Sequence, residues 1–196
     1  MRKSKLEAAQ TREAIVAAAA DLIRRTGIAG ASLADMMAAA GLTHGGFYRH
    51  FRNKEQLVSE ALSAAGEKTI AILGRNMTKG GLNAAVDGYL SKSHRDAPTP
   101  ICPFAALGSE MARSGKETKA AATEVLEKVL VMLAGDAPDS TDARGAAIVA
   151  LSTMIGAMTL ARVVADNDLS AEILDRAKDH LHRAIREPNS DVASDI

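Results

Sequence analysis

The sequence predicts an all-α protein: a short N-terminal three-helix unit followed by a larger helical part, about nine helices in all. Three observations predict it. Apolar residues recur at three- and four-residue spacing along most of the 196 residues. Alanine-rich blocks recur, and proline is sparse at 5 residues, both of which favour helix. Glycines, prolines and hydroxyl or amide side chains punctuate the periodic stretches where helices should start and stop.

The composition is that of an ordinary soluble globular protein, with 47% hydrophobic and 24% charged residues. The length suffices for a good core. Arg2, Lys3 and Lys5 are followed by polar Glu7 and Gln10, so no signal peptide is expected. The single cysteine excludes an intrachain disulfide. A cytoplasmic location is the expectation.

Residues 1–10 form a polar, basic arm. It could fray, or its cations could reach phosphates or a minor groove. The first helix is expected over 11–26, capped by Thr11. Ile15, Ala18, Ala19, Leu22 and Ile23 share one face, and Gly27 ends it. Ser32 with Asp35 opens the second helix, with Leu33, Met36, Met37 and Ala40 inward. Gly41 ends that helix as a left-handed residue.

A third helix is expected over 43–51, begun by Thr43. Its first turn is His44, Gly45 and Gly46, and its second mixes aromatics with cations. Phe47 and Phe51 are four apart and can share a buried face, which sends Tyr48, Arg49 and His50 elsewhere. Two glycines cost the helix about 0.8–1 kcal/mol each, which close approach of another surface to the backbone would justify. Helix, tight turn, second helix with a polar N-terminus is the helix-turn-helix layout, whose second helix enters a DNA major groove. Charge agrees. Residues 1–54 carry nine Lys and Arg against four Asp and Glu, a net +5, and the rest carries fifteen against twenty, a net −5.

Residues 11–62 resemble the DNA-binding domain of TetR-type transcriptional regulators. The match lies in Ser32-Leu33-Ala34-Asp35, Ala40-Gly41-Leu42-Thr43, Gly45, Phe47-Tyr48-Arg49-His50-Phe51 and Asn53-Lys54-Glu55-Gln56-Leu57. The resemblance implies that the start of the third helix, Thr43, His44 and Gly45, meets bases. It also implies that Tyr48, His50 and Lys54 meet phosphates. Ser32, at a helix N-terminus, could receive another phosphate. Phe47 and Phe51 are core. The expected domains are 1–55, the helix-turn-helix with its arm, 56–187, an effector-binding and dimerisation domain, and 188–196, a polar tail.

Asn53 with Gln56 caps the fourth helix, expected from Lys54 to Gly74. Met77–Leu82 reads as a break, then a helix near 82–94, then a proline-rich loop over 96–103. Pro103 sits at the first position of a helix over 103–113, and Ser114-Gly115 separates it from one over 116–134. Residues 135–140 form the next loop. Residues 145–165 are almost all apolar or small. Their length would reach across a bilayer, but Arg162 and the interrupting small residues favour a buried helix, so no membrane partner is expected. Residues 170–186 form the last, amphipathic helix. The last two helices, about 144–186, suit a homodimer interface, which the resemblance also implies.

Phe104, Leu107, Met111, Met132, Met154 and Met158 could line a pocket for an unknown small-molecule effector, or be plain core. Cys102 could be a packing residue or, just before a helix N-terminus, a redox sensor. His180 and His182 diverge on a helix and cannot easily share an ion, so no metal is expected, and no cofactor either. No catalytic motif appears, so an enzyme is not expected. The reading is a ligand-released dimeric repressor on a palindromic operator in double-stranded DNA. Alternatives are a same-fold activator or Cys102 redox sensor without a small ligand, or a helical binding protein that has lost DNA binding.

Overall fold

The computed structural model describes residues 5–135 and 142–187. Among these it is all-helical, with nine elements: α1 Lys5–Thr26, α2 Leu33–Ala39, α3 His44–Arg49, α4 Lys54–Tyr89, α5 Lys92–Arg95, α6 Pro103–Arg113, α7 Lys116–Ala134, α8 Ala143–Val163 and α9 Asn167–Arg186. Arg2 and Lys3 of the arm, most of the 135–140 loop and the 188–196 tail lie outside the described residues.

The first helix starts earlier than its periodicity predicts. Lys5 to Gln10 are helical, and Thr11 is an interior residue whose hydroxyl donates to the Glu7 carbonyl at 2.7 Å. Lys, Glu, Ala and Gln are good helix formers, so this turn needs no cap to extend. The second helix has the full capping box. Asp35 N donates to Ser32 Oγ at 3.1 Å, and Ser32 N donates to Asp35 Oδ2 at 3.0 Å. Gly41 has φ +70, the left-handed residue the turn requires.

The fourth helix runs past the expected stop at Gly74. It kinks at Gly80 and Gly81, the latter at φ 64, inside the expected break. The expected 82–94 helix ends at Tyr89, and Ser91 caps the separate short α5. Helices α6 and α7 lie where proline and Ser114-Gly115 place them.

The chain packs as two compact units. One holds residues up to Thr69 together with Pro98–Leu126, the other Ile70–Ala97 together with the residues from Glu127 on. The expected cut at 55/56 is not where packing divides. Leu107 and Met111 belong to the same core as Ile15, Ile23, Met36, Phe47 and Leu57. Arg24, in the last turn of α1, is 7% exposed. It donates to the carbonyls of Ala20, Pro100 and Ile101 at 2.9, 2.9 and 3.2 Å and pairs with Asp21. Thr69 donates to the Ile101 carbonyl at 3.0 Å, so two side chains pin the proline-rich loop. Gly66 lets α7 come close to α4: a Cβ there would lie 2.4 Å from a Val125 methyl.

The α8 helix is long and apolar enough to cross a membrane by length and composition, with 39% of its apolar window buried. It is not apolar and buried all round. Met154 and Met158 are fully buried, while Ile148, Val149, Leu160 and Val163 are 44%, 57%, 55% and 75% exposed. Among the described residues, the face with Ala147, Leu151, Met154 and Met158 is the buried one.

Candidate nucleic-acid interface

The third element is shorter and tighter than expected. Residues His44–Arg49 form a 3-10 helix, with Gly46 N donating to the Thr43 carbonyl at 3.1 Å and His50 N to Phe47 at 2.9 Å. Gly45 and Gly46 give little α preference, and six residues are too few to impose one. Phe47 and Phe51 are 0% and 2% exposed, their rings stacked 5.7 Å apart. That fixes the rotation of the element and turns Thr43, His44, Gly45, Tyr48 and Arg49 outward. Tyr48 is 70% exposed, its ring edge-on to Phe47 at 5.1 Å.

Thr43 stands at the N-cap but makes no capping bond with its side chain. Gly45 has no positive φ, and a Cβ there would meet nothing within 4 Å. Neither conformation nor packing of this chain requires a glycine at that position.

The remaining expected residues are engaged differently. His50 is half-buried, its carbonyl accepting from Arg12 Nε at 3.3 Å. The Ser32 hydroxyl donates to Asp35 Oδ2 at 2.6 Å, which holds that carboxyl below its ordinary range. Lys54 Nζ donates to the Ile28 carbonyl at 2.8 Å. It lines a cavity of about 430 Å³ with Ile28, Ala29, Glu55, Glu110 and Arg113. A missed residue is Arg12. Its guanidinium lies 4.6 Å over the Phe51 ring and forms an ion pair with Glu60 at 2.6 Å. Arg12 therefore ties α1 and α4 to the end of α3, and nothing local in the sequence signals it.

The six expected effector residues do not come together in one unit. Phe104, Leu107 and Met111 pack in the first unit's core, and Met132, Met154 and Met158 belong to the second. Two cavities, of about 430 and 300 Å³, are lined by none of them. Cys102 is the N-cap of α6, its thiol free of disulfide and 2% exposed. His180 is exposed, and His182 Nε2 lies 3.1 Å from Asp87 Oδ1. No cluster of metal-ligating side chains occurs among the described residues.

A three-helix unit that buries two phenylalanines and turns a glycine, a tyrosine and cations outward is the architecture of a helix-turn-helix DNA-binding protein. The family model for bacterial regulatory proteins of the tetR family matches residues 15–61. An uncharacterized HTH-type transcriptional regulator of Mycobacterium tuberculosis is 31% identical over 170 residues, covering 79% of this chain and 86% of that protein. The HTH-type transcriptional regulator TtgR of Pseudomonas putida is 40% identical over 67 residues, 34% of this chain and 32% of that protein. The chain thus matches about a third of the length of TtgR. A TetR transcriptional regulator from Chloroflexus aurantiacus has a crystal structure that superposes with a TM-score of 0.76 at 29% identity, covering 93% of this chain and 97% of that one. The chain belongs to the TetR family of DNA-binding transcriptional regulators, which are not enzymes.

Proposed function

We propose that this protein is a dimeric repressor that binds a palindromic operator and is released by a small-molecule effector. The observation that carries the DNA contact is the outward face of α3, with a glycine at position 45 that the chain itself does not need. Thr43, His44 and Gly45 approach base edges, and Tyr48, His50 and Ser32 approach phosphates. Lys54 joins them by giving up the Ile28 carbonyl.

A second copy covers the exposed apolar face of α8 and α9, where Ile148, Val149, Leu160, Val163 and Leu169 stand open. Two recognition elements then sit about 34–36 Å apart on one face of a duplex. An effector that binds one dimer geometry better than the other shifts DNA affinity without touching DNA. A cytoplasmic location follows from this role.

Selection of DNA from a random duplex pool, followed by a salt titration of the winner, tests the reading. A palindromic winner whose affinity falls steeply with salt is the expected result. No enrichment over bulk DNA, before and after refolding to strip bound ligand, overturns it.

A further inference from the structure

The second unit gathers polar groups at one point of an otherwise apolar interior. His94, on α5, is 3% exposed. Its Nδ1 lies 2.7 Å from the Tyr89 carbonyl oxygen. A carbonyl only accepts, so Nδ1 carries the ring proton and donates. Burial, reinforced by the charge of Arg162 and opposed by that hydrogen bond, lowers the His94 pKa to about 4, so the ring is neutral at pH 7. In this tautomer Nε2 is a bare acceptor. It is buried and has no hydrogen-bond partner.

Arg162 closes one side, donating from Nη2 to the His94 carbonyl at 2.5 Å and from Nε to the Arg95 carbonyl at 3.1 Å. The Tyr89 ring stands edge-on to the imidazole at 4.7 Å. Met154 and Met158 are both fully buried and share a face of α8 with Arg162 at four-residue spacing. Their unbranched side chains can rearrange around a guest.

We propose that His94 Nε2, beside Arg162 and Tyr89, is the polar end of a small-molecule site in the second unit, and that its ligand is an uncharged, mostly apolar molecule bearing a hydroxyl. The hydroxyl donates to Nε2, which an ether or a hydrocarbon cannot do. A carboxylate would be drawn to the Arg162 guanidinium but brings no proton at neutral pH, so it leaves Nε2 without a donor and faces its lone pair. An ammonium would face the Arg162 charge. An acceptor buried without a donor is costly to leave so, which makes a donor-bearing guest selective. Only the consequence, release of DNA, rests on the repressor reading.

The test uses the full chain without DNA. Calorimetry measures 4-ethylphenol, 4-ethylanisole, which lacks the O–H, and 4-ethylbenzoate. His94→Asn keeps a donor at the Nδ1 position and removes Nε2. The expected result is binding of 4-ethylphenol about tenfold or more tighter than of the other two, with that preference lost in His94→Asn. No binding of 4-ethylphenol, equal binding of all three, or an unchanged preference in His94→Asn overturns the proposal. Should His94→Asn fail to fold by circular dichroism, the wild-type comparison of phenol with anisole decides. Operator selection is read separately, so either conclusion can fail while the other stands.

Discussion

At the scale of single residues, the exposed and buried halves of α3 predict opposite phenotypes. Tyr48→Ala removes a side chain that is 70% exposed. It should leave thermal melting nearly unchanged and weaken operator binding about tenfold or more, read by fluorescence anisotropy. An affinity and salt slope equal to wild type would sink the docking of α3. Phe47→Ala empties a fully buried position. It should cost about 3–5 kcal/mol in a denaturant titration. His94 gives a pH signature. Its folded pKa near 4 lies below the ordinary 6.5, so between those values the unfolded chain binds more protons. Stability from this group is therefore whole above pH 6.5 and falls as pH drops toward 4, by roughly 3 kcal/mol in all. Urea titrations from pH 7.5 to 4.5 should show that loss, and His94→Asn should flatten it. Asp96, its carboxyl held low by Arg95, and Arg95, its guanidinium held charged by Asp96, do not titrate in that window.

At the scale of elements, what the sequence shows is what neighbours in the chain decide. Pro103 and Ser114-Gly115 mark α6 and α7, and the Ser32–Asp35 box marks α2, because each signal acts within a turn. The early start of α1 carries no such mark, and neither does the run of α4 past Gly74, since one glycine is tolerated inside a long helix. The outward face of α3 was legible from Phe47, Phe51 and the glycines. The anchors that hold it were not: Arg12 meets His50 and Glu60, and Lys54 meets Ile28, across 26 to 48 residues of sequence. Periodicity likewise marks Leu107 and Met154 as inward but not which core each joins. The close approach of α4 and α7 makes a prediction at this scale. Gly66→Ala should destabilise by about 1–3 kcal/mol, because the new methyl meets Val125. Adding Val125→Ala should recover part of that loss, so the pair is non-additive in a double-mutant cycle. Strict additivity would deny the contact.

At the scale of the whole molecule, the apolar face of α8 should govern assembly. Leu160→Glu with Val163→Glu places charges where side chains are 55% and 75% exposed in the single chain. Sedimentation should show a dimer for the wild type and monomers for the variant, and operator affinity should collapse because one recognition element would grip one half-site. A dimer that survives both changes would place the interface elsewhere. The make-up of the first unit bears on how such regulators can be recombined. Glu110 accepts the Ala29 amide at 2.8 Å, Glu55 accepts the Glu117 amide at 3.2 Å, and Leu107 and Met111 complete the core beneath α1 and α4. A chimera that transplants only the first 55 residues onto another regulator's sensor would leave the Ala29 amide without its acceptor and the Glu55 carboxylate without its donor, and open a hole in its own reading head. The exchangeable cassette is discontinuous: a swap that carries the residues up to Thr69 together with Pro98–Leu126 should read DNA faithfully where the shorter graft does not.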